Sequence, residues 1–366
     1  MLPLLLSLFC CTLATPDYKA ALKSQQSLLT LFRAYAPPSS FSSHELPLRV
    51  RIFRRELERV VEDNAEKSWD SGLNQFSLMT SEEKTHYLGM NMTSVPEPTQ
   101  TFSTATDIPD SKDWRVEGKV TGVKDQGKCG SCWSFAAVGP IETAYAVTTG
   151  KLKQFSEQEL LDCTYQETYD GCRGGWLTKP WDYTIAHQRL ATQAAAPYLG
   201  KDGVCAYSAV HDGLIAAKLA SYPYVGRGVA NVIQGLLSGA VGAGFMVSNG
   251  FYRYSSGILA DDTCVSDFKG HHAVSIVGYT PTAVIVKNSW GVAWGEAGYF
   301  RWARDHSGCN LYSYCSGVVM QSTGLVDGDQ EYQEEEEEEC DDVTGEGCEC
   351  GTVRCEDGVC RHVHMC

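Results

Sequence analysis

The sequence predicts an α+β protein in which a helical lobe and a β lobe share one segment, with more helices ahead of them. Residues 131–148, 156–163 and 177–187 carry helical periodicity, whereas 273–279, 283–287 and 298–302 alternate as strands do. Helices followed by strands, rather than the two interleaved, give segregated layers. The chain is also long enough: 366 residues, 43% of them hydrophobic, supply a sizeable core and two or three units.

The elements follow in order. Residues 4–13 form a short apolar run, with small residues at Thr12 and Ala14 and no Lys or Arg ahead of it. It is too short to span a bilayer, so residues 1–14 are expected to be a cleaved secretory signal. No later apolar run is long enough to cross a membrane, so a soluble mature chain with no membrane span is expected. Sixteen Cys, fourteen of them after the signal, fit an oxidising compartment. The sequon Asn91-Met92-Thr93 marks Asn91 for glycosylation on the same route.

Residues 17–35 read as a helix, and a Pro-Pro-Ser-Ser loop follows at 37–40. Ser43 is the expected cap of a longer helix that carries Pro47 in its first turn. Glu45, Arg49, Phe53, Glu56, Val60 and Asn64 then share one helical face. Spacing alone makes this an amphipathic helix with surface ion pairs. Residues 91–106 are rich in Thr, Pro and Ser and are expected to be an extended linker open to cleavage. Beyond residue 326 the composition changes. Fifteen Asp and Glu against two Arg carry all but two of the fifteen net negative charges. The remainder is near neutral, which does not suit a nucleic-acid surface. Residues 323–339 read as a self-repelling acidic linker. Residues 340–366 hold six Cys in a piece too short to bury a core, so disulfides are expected to staple it.

The chemistry sits in Cys129-Gly130-Ser131-Cys132-Trp133. Glycine allows a tight turn, and a thiol follows at a helix N-terminus, where unpaired amides and the helix dipole favour a thiolate. Gln126 can place a side-chain donor near the same point. A thiolate nucleophile needs an imidazole, a group to orient that ring and donors for an oxyanion. His272 and Asn288 lie 140 and 156 residues downstream of Cys132, in His271-His272-Ala273-Val274 and Asn288-Ser289-Trp290-Gly291. Neighbours on a strand face opposite ways, so only one of His271 and His272 can face a cleft.

These motifs resemble, in content and order, those of papain-like cysteine peptidases of the cathepsin L type, over about residues 17–322. The resemblance implies a papain-like two-lobed fold and a proenzyme. The 45–64 spacing is similar to the ERFNIN motif of inhibitory propeptides, with Glu56 in place of Asn. Gly72-Leu73-Asn74-Gln75-Phe76-Ser77-Leu78 is similar to a second propeptide motif, with Leu78 in place of Asp. That Asp is linked in the family to acid-triggered loosening, so a blunter pH dependence of activation is expected. Ile108 to Arg115 resembles a mature N-terminus. The domains implied are thus a propeptide over 15–106 and a catalytic domain over 107–322.

Within the family, Cys132 is the nucleophile, His272 the base, Asn288 its orienting partner and Gln126 an oxyanion donor. Trp290 would shield the His272–Asn288 bond. Gly174 and Gly175 would pair with a peptide main chain. Trp176, Leu177, Ala243 and Gly270 would line the pocket for the residue two before the scissile bond, with Tyr314 at or near its floor. The disulfides implied are Cys129–Cys172, Cys163–Cys205 and Cys264–Cys309, with Cys264–Cys315 as an alternative. Cys315 is otherwise left over and could bond outward. Pro140 should kink the helix headed by Cys132. A protonated His271 would oppose the imidazolium on His272 and raise the acid limb of the rate profile.

The function implied is a secreted or lysosomal-type, monomeric endopeptidase that acts on peptides or proteins. Its own propeptide and cystatin-type inhibitors would be its inhibitory partners, and no metal or organic cofactor is implied. Two other readings are a catalytically silent binding protein of this fold and an enzyme whose Cys-rich tail docks a partner.

Overall fold

The computed structural model describes residues 17–36, 40–92, 107–164, 171–207, 213–214 and 217–324, together with the backbone of two short strands near the C-terminus. The expected secretory signal, Thr93 of the sequon, most of the expected linker and all but that backbone in the Cys-rich tail lie outside these residues.

The first expected helix is two. Asp17 caps α1 (Tyr18–Ala21), and Ser24 restarts the chain as α2 (Gln25–Tyr35) by accepting the Ser27 N–H at 3.1 Å. The long helix α3 (Leu46–Glu66) starts later than expected. Its N-cap is Glu45 rather than Ser43, because the Glu45 carboxylate turns back to accept the N–H and hydroxyl of Ser42. Pro47 does sit in its first turn. Phe53, Leu57 and Val60 pack with Leu28, Phe32, Leu73 and Leu78 into a small separate core. Asn64 ties the end of α3 to β1 (Asp70–Ser71) through both Ser71 main-chain groups. A 3₁₀ turn, Gln75–Leu78, and α4 (Ser81–Thr85) follow.

The larger body begins with β2 (Lys112–Asp113) and the central helix α5 (Cys132–Thr149). With α6 (Glu157–Cys163) and α7 (Lys179–His187), α5 forms the helical lobe around Ile141, Tyr145, Leu160 and Trp181. Next come β3 (Ala217–Ser221), α8 (Val229–Leu236), β4 (Val241–Val247), α9 (Asn249–Arg253), β5 (Tyr254–Ser256) and β6 (Ile258–Leu259). The chain closes with β7 (Gly270–Tyr279), β8 (Ala283–Lys287), β9 (Tyr299–Ala303), β10 (Tyr314–Gly317) and β11 (Val319–Ser322). One sheet runs β10-β4-β7-β8-β9-β6, with β2 also paired to β7. All its pairs are antiparallel except β6 with β9. Its core holds Phe245, Ile276, Val286, Phe300 and Trp302. The segregation of helices from strands is as expected.

Pro140 lies inside α5, which continues past it to Thr149. A proline nitrogen cannot donate, so the Ala136 carbonyl four residues back loses its helix partner. The Ser275 hydroxyl on β7 reaches that carbonyl at 3.4 Å, a link between the lobes. Disulfides join Cys129–Cys172, Cys163–Cys205 and Cys264–Cys309, while Cys132 and Cys315 are free and buried. Residues 325–366 cluster as a separate unit, in which β12 (Thr352–Arg354) and β13 (Cys360–His362) form an antiparallel pair. Among the described residues no helix is long and apolar enough to cross a membrane.

Candidate active site

Cys132 is the first residue of α5, and its side chain is fully buried. The turn before it needs Gly130: a Cβ there would stand 2.6 Å from the Cys172 carbonyl oxygen. That approach is fixed by the Cys129–Cys172 disulfide and by the Gly130 N–H, which donates to the Cys172 carbonyl at 2.7 Å. Cys129 is thus a structural half-cystine and Cys132 the free thiol.

His272 comes from β7 and Asn288 from the residue just beyond β8, with 2.8 Å between His272 Nε2 and Asn288 Oδ1. The same oxygen accepts the Ser289 backbone N–H at 2.8 Å. A backbone N–H can only donate, which fixes the Asn288 amide orientation and makes Nε2 the protonated ring nitrogen. The lone pair therefore sits on Nδ1, which is buried and has no hydrogen-bond partner among the described residues. Trp290 lies over His272, its ring 4.6 Å from the imidazole, with the rings of Phe245 and Phe251 further off at 5.9 and 6.5 Å.

Gln126 is also fully buried. Its carbonyl oxygen accepts the Ser289 hydroxyl at 2.6 Å. Its amide nitrogen donates to the carbonyls of Cys129, at 2.8 Å, and Tyr87, at 3.1 Å. The second of these acceptors belongs to the N-terminal segment. That segment covers the whole site. Gly89 and Met90 both direct their N–H groups at the His271 carbonyl (3.2 Å each), Gly175 donates to the Gly89 carbonyl at 2.8 Å, and Asn91 donates to the Gly175 carbonyl at 2.9 Å. Gly89 cannot be replaced, since a Cβ on it would lie 1.9 Å from the Gly130 oxygen. Gly175 thus pairs, main chain to main chain, with a bound segment of polypeptide, whereas the Gly174 N–H turns to the Gly171 carbonyl at 3.3 Å and Gly174 only leaves room for Gly89, whose oxygen a Cβ there would meet at 2.7 Å. Asn91 itself is half-buried on this strip.

The cover sets the protonation states. Burial pushes the Cys132 thiol up to about 12, against the weaker opposing effect of the N–H groups of Ala273, Gly89, Trp133 and Cys132 itself. Burial also brings the His272 imidazole down to about 4, although its bond to Asn288 works the other way. Both shifts favour a neutral thiol and a neutral ring.

The expected pocket is partly assembled. Met90 packs in one cluster with Leu177, Ala273 and Tyr314. Gly270 is in place beside Leu88, and Trp176, half-buried, borders a hollow with Gly174, Gly175 and Trp133. Ala243 requires correction. It pairs with Val274 and Cys315 and lies in the β-lobe core, on the face opposite the cleft. Its neighbour Gly244 faces Met90, which would touch a Cβ there at 3.1 Å. Sequence reasoning missed Gly244 and Ala273. The period of two was the available signal: Gly244 is registered opposite Ala273, and Ala273 directly follows His272.

Known proteins resemble this chain over most of its length. The family model "Papain family cysteine protease" matches residues 108–319. Ananain of Ananas comosus is 34% identical over 75% of this chain and 80% of that protein. Cathepsin S of Rattus norvegicus is 34% identical over 75% of this chain and 87% of that protein. The proform of the ragweed pollen protease Amb a 11 superposes with a TM-score of 0.72 at 30% identity, covering 84% of this chain and 98% of that one. Digestive procathepsin L 3 of Tenebrio molitor gives a TM-score of 0.71 at 29% identity, covering 81% and 100%. With a catalytic-domain match over more than half its length and proform structures that also cover its N-terminal helices, the chain belongs to the papain family of cysteine proteases and has the architecture of a zymogen.

Proposed function

We propose that this zymogen, once its propeptide leaves, is an endopeptidase acting through Cys132, His272, Asn288 and Gln126. The observation that carries the reading is the Gln126 amide. One of its two hydrogens is held by Cys129, and the other by the Tyr87 carbonyl of the propeptide. Departure of the propeptide frees that hydrogen and rehydrates the cleft. The Cys132 proton then passes to His272 Nδ1, forming a thiolate–imidazolium pair. The thiolate attacks a substrate carbonyl, and the oxyanion takes hydrogen bonds from Gln126 and the Cys132 N–H. The imidazolium protonates the leaving amine, which leaves a thioester on Cys132. Water, deprotonated by His272, hydrolyses that thioester and regenerates the thiol and the free ring. Substrate would run along Gly174 and Gly175, with its second residue before the scissile bond against Leu177, Gly244, Ala273 and Tyr314.

The propeptide–catalytic domain boundary near Asp107, secretion by way of the N-terminal signal, Asn91 glycosylation, inhibition by cystatin-type proteins and a monomeric mature enzyme belong to the same reading. The test is stoichiometric labelling of the processed protein with an irreversible thiol-directed peptidyl inhibitor. One label per chain at Cys132, with loss of peptide hydrolysis, supports it. A processed, folded protein that does not label at Cys132 is instead the silent binding protein.

A further inference from the structure

One group of buried charges has no part in the mechanism above, and it lies directly behind Asn288. Lys124 Nζ donates to Glu142 at 2.7 Å and to Glu157 at 2.6 Å. Thr121 donates to the other Glu142 oxygen, and Lys287 Nζ donates to the Thr121 hydroxyl at 2.8 Å. Glu142 and Glu157 belong to helices α5 and α6, Lys287 to β8, so the network crosses between the lobes. Lys287 is the residue before Asn288.

These groups border a cavity of about 20 Å³ lined by Lys124, Glu142, Glu157, Ser275, Lys287 and Asn288, among others. That is room for one water molecule, which needs two to four polar partners. Two side-chain atoms of the lining residues are buried and have no partner among the described residues: Asn288 Nδ2, a donor, and Glu157 Oε2, an acceptor. Buried polar groups are rarely left in this way. The Lys287 ammonium has three hydrogens, and Thr121 takes one.

Resting on the assignment of Asn288 as the partner of His272, we propose that the cavity is a water site. The water accepts from Asn288 Nδ2 and donates to Glu157 Oε2. Glu157 is thereby a positioning residue, on the opposite lobe, for the amide that holds the imidazole. The Asn288 oxygen is fixed by Ser289, and the water fixes the other end of the same amide.

Two measurements on the processed full-length enzyme test this. A high-resolution crystal structure should show a water in hydrogen-bond distance of both atoms; a dry cavity overturns the proposal. Glu157→Gln keeps the volume but presents at most one oxygen, which Lys124 claims, and so loses the bridge. Expected are about a tenfold fall in kcat with KM little changed, and an alkaline limb shifted to lower pH as the imidazolium loses its anchor. In an Asn288→Ala background the same change should cost almost nothing, because the two act as one unit. An equal loss in both backgrounds, or an unmoved limb, leaves Glu157 a purely structural residue. The thiol-labelling result above is independent of all three outcomes, so failure here is separable from failure of the peptidase reading.

Discussion

At the scale of single residues, hydrogen-bond direction settles more than proximity does. Gln126 faces two carbonyls with its nitrogen and one hydroxyl with its oxygen, so its donor end is held on the side of Cys129 and Tyr87 and its acceptor end on Ser289. Gln126→Ala is therefore expected to lower kcat of the processed enzyme about 10²–10³-fold with little change in KM. Alkylation of Cys132 by chloroacetamide, which forms no oxyanion, should be unaffected. Equal losses in both assays would mean that Gln126 shapes the site and does not stabilise charge. His271 is half-buried beside Phe268, and burial holds its ring below the ordinary histidine range. It is thus neutral near neutrality and gains its proton only in acid, where that charge opposes the imidazolium of His272. His271→Asn should extend peptide hydrolysis to lower pH, and an acid limb that does not move would remove His271 from the account. The free Cys132 at the head of α5, the His272–Asn288 pair and the burial of Gln126 agree with what short local motifs in the sequence predict. The pocket was less legible. Ala243 and Gly244 differ by one place on a strand, and only pairing with β7 says which faces the cleft.

At the scale of elements, caps and packing decide what periodicity leaves open. The break between α1 and α2 and the late start of α3 follow from Ser24 and Glu45, whose polar side chains compete with helix continuation. The alternation that marks β7 runs from Ala273, and the strand reading of His271 and His272 holds, but the strand starts one residue earlier still, where Gly270 pairs with Val247. Leu78 shows how one substitution alters an element's response. It closes the 3₁₀ turn, is buried in the apolar cluster of α3, and offers only its carbonyl to Arg49, at 3.0 Å. Arg49 in turn grips the Glu83 carboxylate, whose pKa that bond holds at about 2. An aliphatic Leu78 has no charge to lose, so this turn stays docked as the pH falls. Leu78→Asp would add a titrating carboxylate beside Arg49. Autoactivation should then rise more steeply with acid than in the parent zymogen, and superimposable activation profiles would exclude the turn as a site of pH control.

At the scale of the whole molecule, the question is what still makes the propeptide sensitive to acid. α3 meets the catalytic domain through charges that are nearly all buried. Arg253 Nε donates to Asp63 at 2.8 Å, Lys67 lies 3.0 Å from the same carboxylate, and the Ser71 hydroxyl donates to it at 3.0 Å. Alongside, Glu56 accepts from Lys84 at 2.6 Å and faces Arg253 at 3.4 Å. Glu56 is the departure from the ERFNIN pattern, and it joins this cluster. Burial alone would raise the Asp63 carboxyl, but Arg253 and Lys67 outweigh it and leave it below its usual range. A depressed carboxylate pKa contributes stability that is complete above the unperturbed value near 3.8 and is lost as the pH falls through the depressed one. Asp63 therefore holds the propeptide at neutral pH and releases it only in strong acid. Asp63→Asn removes that contribution at every pH and leaves Arg253 buried with Glu56 alone, a loss of about 3 kcal/mol, the low end for a broken buried pair because Glu56 still faces the guanidinium. The free propeptide carrying this change should inhibit the processed enzyme in trans about 100- to 200-fold more weakly at neutral pH. The gap from the unmodified propeptide should hold down to the ordinary carboxylate value near 3.8 and narrow only as the pH falls further, through the depressed pKa, because protonation then does to Asp63 what the substitution does. A gap that is constant across that range would show that Asp63 contributes through shape and hydrogen bonding and not through its charge.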